Sequence, residues 1–251
     1  MITSTANRDI RAVRRLRLAQ NRARLGLVLV EGRVALSSVL DAGATIDRLL
    51  VTPRASASAS SVELQRRAIA TGARKLVVSD ALMALLCDTA TPPAFLAVVP
   101  APAADAPEPR DPWCGLLIGE LHDPRALGAI LLSAAACRID AVATTPGAAD
   151  PWAPKVVRAS AAAGWHVPIR ARIDGDAWLE TLRADGVMTL GLPEGLPGPA
   201  TLPPRFLLVT GPSVDRLDPT MRIEVAPTVP ALPVSVSVSH VLADWSRQHR
   251  R

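Results

Sequence analysis

The sequence predicts an α/β protein in which a parallel sheet is covered on both faces. Strands and helices are expected to alternate through most of the 251 residues, which is typical of layered α/β domains. The run Phe206–Val209 is apolar throughout, as a parallel strand buried on both faces requires. Between residues 100 and 112, prolines recur and favour extended chain over packed structure. We therefore expect a small domain of residues 1–99, a linker of residues 100–112 and a larger domain of residues 113–251.

The small domain is expected to be a compact α/β layer. The apolar run Gly26–Gly32 predicts a buried strand that ends in a turn, and a short helix is expected over Arg33–Ala42. The other expected elements are strands at Ile46–Val51, Lys75–Val78 and Phe95–Val99 and helices at Leu64–Ala70 and Ser79–Leu86.

The larger domain continues the alternation. Its expected strands are Gly115–Glu120, Ala141–Thr145, His166–Arg170, Val187–Leu192 and Phe206–Thr210, and its expected helices are Arg125–Cys137, Pro151–Ala163 and Asp176–Ala184. The last element is ambiguous. Residues 233–238 alternate with period two, which favours a strand, whereas Val234, Val238, Val241, Leu242 and Trp245 share one helical face.

Composition excludes several classes of protein. Hydrophobic residues make up 49% of the chain and charged residues 20%, which is typical of a globular protein. No apolar run reaches the roughly 18 residues that span a bilayer, and the charged N-terminus is unlike a secretory signal. Cys87, Cys114 and Cys137 lack ligand-like spacing and the histidines are scattered. We therefore expect free thiols, no metal site and a cytoplasmic location.

Positive charge is concentrated at the N-terminus. Residues 1–24 contain a single acid, Asp9, and their arginines are Arg8, Arg11, Arg14, Arg15, Arg17, Arg22 and Arg24. Spacings of three and four place several of them on one side of a helix. The planar guanidinium suits phosphate, so this cluster indicates nucleic-acid binding, although a solvated helix face would show the same pattern.

Several motifs occur in a recognisable order. Residues 121–132 contain Asp123, Pro124, Gly128 and Ile130 in the spacing D-P-x-x-x-G-x-I, and residues 144–161 are T-T-P-G-A-A-D-P-W-A-P-K-V-V-R-A-S-A. Shorter matches are residues 2–7 (I-T-S-T-A-N), 30–32 (V-E-G) and 91–99 (T-P-P-A-F-L-A-V-V). With these motifs the chain resembles the SpoU (TrmH-type) RNA ribose 2′-O-methyltransferases of the SPOUT superfamily.

The resemblance implies a fold, a cofactor and partners. It implies a parallel sheet with a C-terminal trefoil knot, preceded by a small α/β domain similar to a ribosomal RNA-binding protein. It also implies a C-terminal helix, a homodimer, an rRNA or tRNA partner and S-adenosylmethionine bound at the knot. The positions implied for the cofactor are Gly211, Ile223 and Leu232. Lys155 and Arg158 match the family and would face RNA phosphate, unless Arg158 supports the fold instead. The RNA contacts expected from the charge pattern are Arg8, Arg11, Arg14, Arg15, Arg17 and Arg22.

The polar residues of the three family signatures are missing. Ala126 stands where the family has Asn, and Leu132 where it has the Arg that activates the ribose hydroxyl. Pro212 and Ser213 replace an Asn-Glu pair, and Ala231 and Pro233 replace a Ser and an Asn. Arg216 replaces a glycine and, with His122, is a weak candidate for a relocated catalytic role.

Three hypotheses follow. The first is a SpoU-type pseudoenzyme that has lost methyl transfer and acts as an RNA-binding dimer, with or without S-adenosylmethionine. The second is an active S-adenosylmethionine-dependent RNA 2′-O-methyltransferase whose catalytic residues have moved. The third is a scaffold that binds a small molecule or a protein instead of RNA.

Overall fold

The computed structural model describes residues 1–56, 58–105, 108–192, 201–211 and 232–249 and divides into two compact units. Unit 1 contains Met1–Pro102 and Trp152–Trp165, and unit 2 contains Ala103–Pro151 and His166–Arg251. The chain therefore passes between the units three times. Residues 152–165, which we expected in the larger domain, are grouped with unit 1, and the predicted domain boundaries otherwise stay a prediction.

Unit 1 is built on a four-stranded mixed sheet. Its strands are β1 (Leu27–Glu31), β2 (Arg48–Val51), β3 (Arg74–Val77) and β4 (Phe95–Pro100), in the order β1-β4-β2-β3. Strands β2 and β3 pair in parallel, and β4 pairs antiparallel with both β1 and β2. The four strands lie where the sequence predicts them, within two residues at each end.

Helices cover both faces of this sheet. They are α1 (Arg8–Arg15), α2 (Ala19–Leu25), α3 (Arg33–Asp41), α4 (Ala59–Ala70) and α5 (Asp80–Leu86). On one face α1 and α5 bury Ile10, Val13 and Met83 against Leu29 and Leu50. On the other, α3 and α4 share a core with residues of the 152–165 segment. That segment is therefore part of the hydrophobic core of unit 1.

Unit 2 contains the predicted parallel sheet. Its strands are β5 (Trp113–Ile118), β6 (Ala141–Thr144), β7 (Ile169–Arg170), β8 (Met188–Gly191) and β9 (Arg205–Thr210). The order is β7-β6-β5-β9-β8, and every pairing among them is parallel. Because the strands are parallel, the loops after β5, β6 and β9 leave the same edge of the sheet, where ligands bind in open α/β sheets.

The helices after the linker are α6 (Pro124–Ala136), α7 (Pro154–Ala159, in unit 1), α8 (Gly175–Ala184) and α9 (Val234–His249). Trp178 and Leu182 of α8 pack on Leu117 and Val209 at one face of the unit 2 sheet. Helix α9 covers the other face, where the Trp245 ring meets Phe206 edge-on. The ambiguous C-terminal pattern is therefore a helix.

The structure bears differently on the predicted knot and on the expected absence of a membrane-spanning segment. The predicted trefoil knot is formed by the C-terminal segment of the chain, of which residues 212–231 lie outside the described residues, so the knot stays a prediction. Within the described ranges, no helix is long and apolar enough to cross a membrane.

Hydrogen bonds join the C-terminal end of α9 to residues 202–204, which precede β9. The indole Nε1 of the fully buried Trp245 donates to the carbonyls of Pro203 (3.1 Å) and Pro204 (3.3 Å). The backbone N–H of Leu202 donates to Gln248 Oε1 (3.0 Å). These bonds hold the last helix beside the strand whose carboxyl end contributes to the candidate site.

We predict that Trp245→Ala destabilises the protein by about 3–5 kcal/mol, because it leaves a cavity between α9 and the sheet. Trp245→Phe keeps the ring contact but loses the bonds to the proline carbonyls, so we expect a smaller loss of about 1–2 kcal/mol. Urea unfolding followed by circular dichroism measures both. Equal losses in the two variants would contradict the prediction.

Candidate functional site

The candidate site lies at the carboxyl edge of the unit 2 sheet, where three loops are joined by backbone hydrogen bonds. The N–H of Gly119 donates to the Thr210 carbonyl (3.0 Å), and that of Thr145 donates to Ile118 (3.0 Å). The N–H of Ala149 donates to the Leu121 carbonyl (2.8 Å). The loops after β5, β6 and β9 thus form one connected rim.

Gly211, a predicted cofactor position, is required by packing. Its φ is +94°, and a Cβ at this residue would lie 2.4 Å from the Gly119 carbonyl oxygen. Only glycine allows the ends of β5 and β9 to come this close. The other predicted cofactor positions are Leu232, which is half-buried just before α9, and Ile223, which lies outside the described residues.

Two buried hydroxyls on the α9 side of the sheet have no hydrogen-bond partner among the described residues. They are Thr210 Oγ1 and Ser237 Oγ. Side chains alternate along a strand, so Thr210 faces the same side as Phe206, which contacts α9. Buried polar groups normally have a hydrogen-bond partner. Thr210 is the last residue of β9 and therefore lies at the rim. Sequence reasoning missed it, although a polar residue closing an apolar run was the available signal.

The catalytic positions of the first signature carry apolar side chains. Asp123 caps α6 by accepting from the Arg125 N–H (2.9 Å), as its place before Pro124 predicts. Ala126 is half-buried in the first turn of α6, and Leu132 is 47% exposed further along the same helix. Neither side chain can accept or donate a proton.

Of the other predicted catalytic positions, only Pro233 is among the described residues. Pro233 is exposed immediately before α9. Pro212, Ser213, Arg216 and Ala231 lie outside the described residues. The structure therefore leaves the second signature, and Arg216 with it, as sequence predictions.

Two exposed ionisable side chains lie on the loop after β5, beside the cap residue Asp123. They are His122, which the sequence singled out, and Glu120, which it did not. Glu120 has a φ of +48°, and its Cγ lies 3.1 Å from where a Cβ on Gly147 would be. Glycine at position 147 thus leaves space for the Glu120 side chain at the rim.

Arg158, a predicted RNA contact, is bound within unit 1. Its Nη1 donates to Glu31 Oε2 (2.6 Å), and its Nη2 donates to the Asp88 carbonyl (3.3 Å). The Glu31 side chain is 1% exposed and that of Arg158 37%. Burial raises the pKa of Glu31, and the Arg158 charge opposes that rise. A charged residue ending the apolar run Leu27–Val30 was the signal for this pair.

Asp88 binds two further cations of unit 1. Its carboxylate lies 3.3 Å from Lys155 Nζ and 3.9 Å from Arg17 Nη2. Both cations are exposed enough to meet a second anion, so the predicted RNA role of Lys155 and Arg17 is compatible with these contacts.

The N-terminal arginines have different surroundings. Arg22 is buried and donates to the carbonyls of Leu16 (2.9 Å) and Arg17 (2.8 Å), which joins α2 to the end of α1. Its burial gives it a structural role and leaves it poorly placed for the predicted RNA contact. The other predicted arginines of α1, namely Arg8, Arg11, Arg14 and Arg15, are exposed.

Among the described residues, no group of three or more His, Cys, Asp or Glu side chains is arranged so that it could hold a metal ion. Burial raises the pKa of the Cys87 thiol to about 12, which makes it a poor nucleophile at neutral pH.

Comparisons with known proteins agree with the motifs. Residues 7–97 match the family model of the MRM3-like substrate binding domain. An uncharacterized tRNA/rRNA methyltransferase of Synechocystis is 29% identical over 66% of this chain, and the match spans 60% of that protein. The 23S rRNA (guanosine(2553)-2′-O)-methyltransferase RlmP of Bacillus subtilis is 25% identical over 76% of this chain and 72% of its own length.

A solved structure has the same fold. The rRNA methyltransferase of Sinorhizobium meliloti, determined with AdoMet (S-adenosylmethionine) bound, superposes with a TM-score of 0.80 over 98% of this chain and 97% of its own, at 18% identity. Together these matches confirm the resemblance to SpoU-type RNA 2′-O-methyltransferases and the predicted α/β fold.

We predict that Gly211→Ala destabilises unit 2 by more than backbone strain alone. Gly72 is a matched control, because its φ of +96° is nearly that of Gly211 while nothing lies within 4 Å of its Cβ position. Gly72→Ala should cost only the left-handed strain of about 1–2 kcal/mol. Gly211→Ala should add about 1–3 kcal/mol of overpacking. Equal costs in urea unfolding would show that the approach to Gly119 does not constrain position 211.

We predict that Arg158→Met destabilises unit 1 by about 2–3 kcal/mol, below the ~3–5 kcal/mol of a fully buried pair because the arginine is partly exposed. Adding Glu31→Gln should recover part of that loss, since the unpaired carboxylate is removed. Arg66→Met, which breaks the exposed pair with Glu63, is the control and should cost at most about 0.5 kcal/mol.

The loss in Arg158→Met should depend on pH. Because burial raises the folded-state pKa of Glu31, the penalty on ionised Glu31 is present at pH 7 and is relieved as the pH falls through that pKa. Urea titrations at pH 7 and pH 5 should therefore give a smaller deficit at pH 5. A deficit that does not change with pH would mean that Glu31 is not the group left unpaired.

Proposed function

We propose that this chain, a homologue of the SpoU-type RNA 2′-O-methyltransferases, is a pseudoenzyme that binds RNA through unit 1 and no longer transfers a methyl group. The observation that carries the proposal is the apolar character of α6 at Ala126 and Leu132. In the family these positions hold the side chains that bind and activate the ribose hydroxyl.

Methyl transfer to a ribose 2′-hydroxyl requires a neighbour that polarises or removes its proton. A neutral hydroxyl is a weak nucleophile until such a group acts on it. Leu132 cannot act in this way, and Ala126 and Pro233 cannot supply side-chain bonds that orient the sugar. Poor orientation alone can cost about 100-fold in rate. Combined loss of activation and orientation leaves a scaffold suited to binding.

The residues at the rim are compatible with retained S-adenosylmethionine. When bound, this cofactor would supply an activated methyl group. Thr210 Oγ1 is a buried hydroxyl beside Gly211 with no hydrogen-bond partner among the described residues, and the half-buried Leu232 just before α9 is an apolar residue of the expected type. The altered signature positions are those that handle the hydroxyl of the ribose. We therefore propose that binding of the cofactor persists after the chemistry has been lost.

A homodimer is supported by the exposed faces of α6 and α9. These helices pack together, and the hydroxyls of Ser133 and Ser239 lie 2.7 Å apart. Leu132 and Val236, on the same two helices, are 47% and 48% exposed. Exposed apolar side chains on two adjoining helices favour association. Light scattering of the full chain would give its mass in solution, and a monomeric mass would contradict a homodimer.

Active methyl transfer through relocated residues is the second candidate. It is favoured by Glu120 and His122, two exposed ionisable side chains on the β5–α6 loop at the rim. The third candidate, a scaffold that binds no RNA, gains if substitution of the α1 arginines leaves RNA affinity unchanged. The cytoplasmic location expected from the sequence stays a prediction.

We predict no methyl incorporation above background when the protein is incubated with radiolabelled S-adenosylmethionine and total RNA of its host. Calorimetry with the same cofactor should nevertheless show binding. Robust incorporation that is lost in His122→Ala or Glu120→Gln would replace the pseudoenzyme with an active enzyme. Absence of heat on titration would limit the protein to RNA binding.

A further inference from the structure

We propose that an arginine ridge on α1 and α2 binds base-paired RNA through its phosphates and discriminates against single strands. The ridge consists of Arg8, Arg11, Arg14, Arg15 and Arg24. The inference rests on the proposed RNA-binding function and narrows it to a class of RNA.

The arginines of unit 1 divide into two groups. Most donate to oxygen atoms of the protein, as Arg54 does to Asp80 (2.8 Å) and Arg67 to Asp41 (2.6 Å). The others make no side-chain bond to any described residue, and all of them belong to the ridge. Within the described part of unit 1, guanidinium groups without a protein partner are thus confined to α1 and α2, where their charge is available to an external anion.

The ridge is held rigidly on the sheet. Asp9, the lone acid of the N-terminal region, lies 3.4 Å from Arg48 Nε on β2 and also pairs with Arg74 on β3. Helix α1 buries Ile10 and Val13 in the core. Asp9 therefore anchors the helix and leaves the ridge without an acid of its own. Arginine charges held in fixed positions are suited to bind a regular array of anions, such as the phosphates of a duplex.

No phenylalanine, tyrosine or tryptophan of the chain forms an exposed platform for unstacked bases. It has no tyrosine, two phenylalanines and five tryptophans. Phe95, Phe206, Trp113, Trp178 and Trp245 are buried. Trp152 and Trp165 are half-buried and pack edge-on against each other, with ring centroids 5.3 Å apart.

This combination favours a duplex. Proteins that hold single strands stack bases on aromatic side chains, whereas double-stranded RNA is recognised by shape and by contacts to phosphate and the 2′-hydroxyl. A rigid ridge of unpaired arginines without aromatic neighbours supplies the second kind of contact. Binding should therefore be insensitive to sequence and should weaken steeply with salt.

Fluorescence anisotropy of the full chain tests the proposal. The probes are an RNA duplex of about 16 base pairs, the length that a duplex-binding domain spans, and an unstructured single strand of the same length. We expect the duplex to bind at least about tenfold tighter. Arg11→Ala/Arg15→Ala should weaken duplex binding and reduce the slope of log affinity against log salt by about 2.

Arg66→Ala/Arg67→Ala is the matched control, because it removes two α4 arginines that already have carboxylate partners. It should leave affinity and salt slope unchanged, and thermal melts should show both double variants folded. Equal or tighter binding of the single strand would overturn the inference while leaving the RNA-binding function intact. An unaffected Arg11→Ala/Arg15→Ala variant would also overturn it. No binding of either RNA would overturn the RNA-binding function as well.

Discussion

The ion pair between Arg158 and Glu31 is the contact on which the organisation of unit 1 depends. It joins the end of β1 to a helix from a segment that lies some 120 residues later in the chain. A carboxylate this deeply buried needs a cation, and the neighbouring Asp88 carbonyl accepts from the same guanidinium. The apolar contacts of Val157 and Ala162 then complete the core. The charge pair and these apolar contacts together join residues 152–165 to unit 1.

Local patterns in the sequence predicted the position of most strands and helices, but not all of their bounds. Helix α4 begins at Ala59 instead of Leu64, and α7 covers only Pro154–Ala159 of the predicted Pro151–Ala163. The apolar runs of β5 and β9 predicted a parallel sheet, and Asp123 with Pro124 predicted the start of α6. Non-local contacts could not be predicted in this way. No periodicity indicates that Arg158 meets Glu31, because the pair depends on the tertiary fold. Residues 233–238 fit both the period of a strand and that of a helix, and the packing of Trp245 on Phe206 favours the helix.

The candidate site shows the same division between local and non-local information. Ala126 and Leu132 were identified by the resemblance to the first family signature, and both lie on α6, as the predicted helix Arg125–Cys137 implied. The reason for Gly211 was not visible, because the Gly119 carbonyl that excludes a Cβ comes from another strand. Arg22 looked like one cation among several until burial separated it from the ridge. Residue type in the sequence predicted which chemical groups are present. Tertiary contacts, which the sequence does not show, determine which of these side chains remain available to a ligand.

The interleaving of the two units along the chain has an evolutionary consequence. The Pro-rich stretch at residues 100–112 looks like a natural point for recombination between genes. A fragment ending there would lack the 152–165 segment, so Glu31 would lose its cation and one face of the unit 1 sheet would lose part of its cover. Recombination at residues 100–112 would therefore not transfer unit 1 intact. A version of unit 1 acquired from another lineage would need residues 152–165 as well, or a neutral residue at position 31.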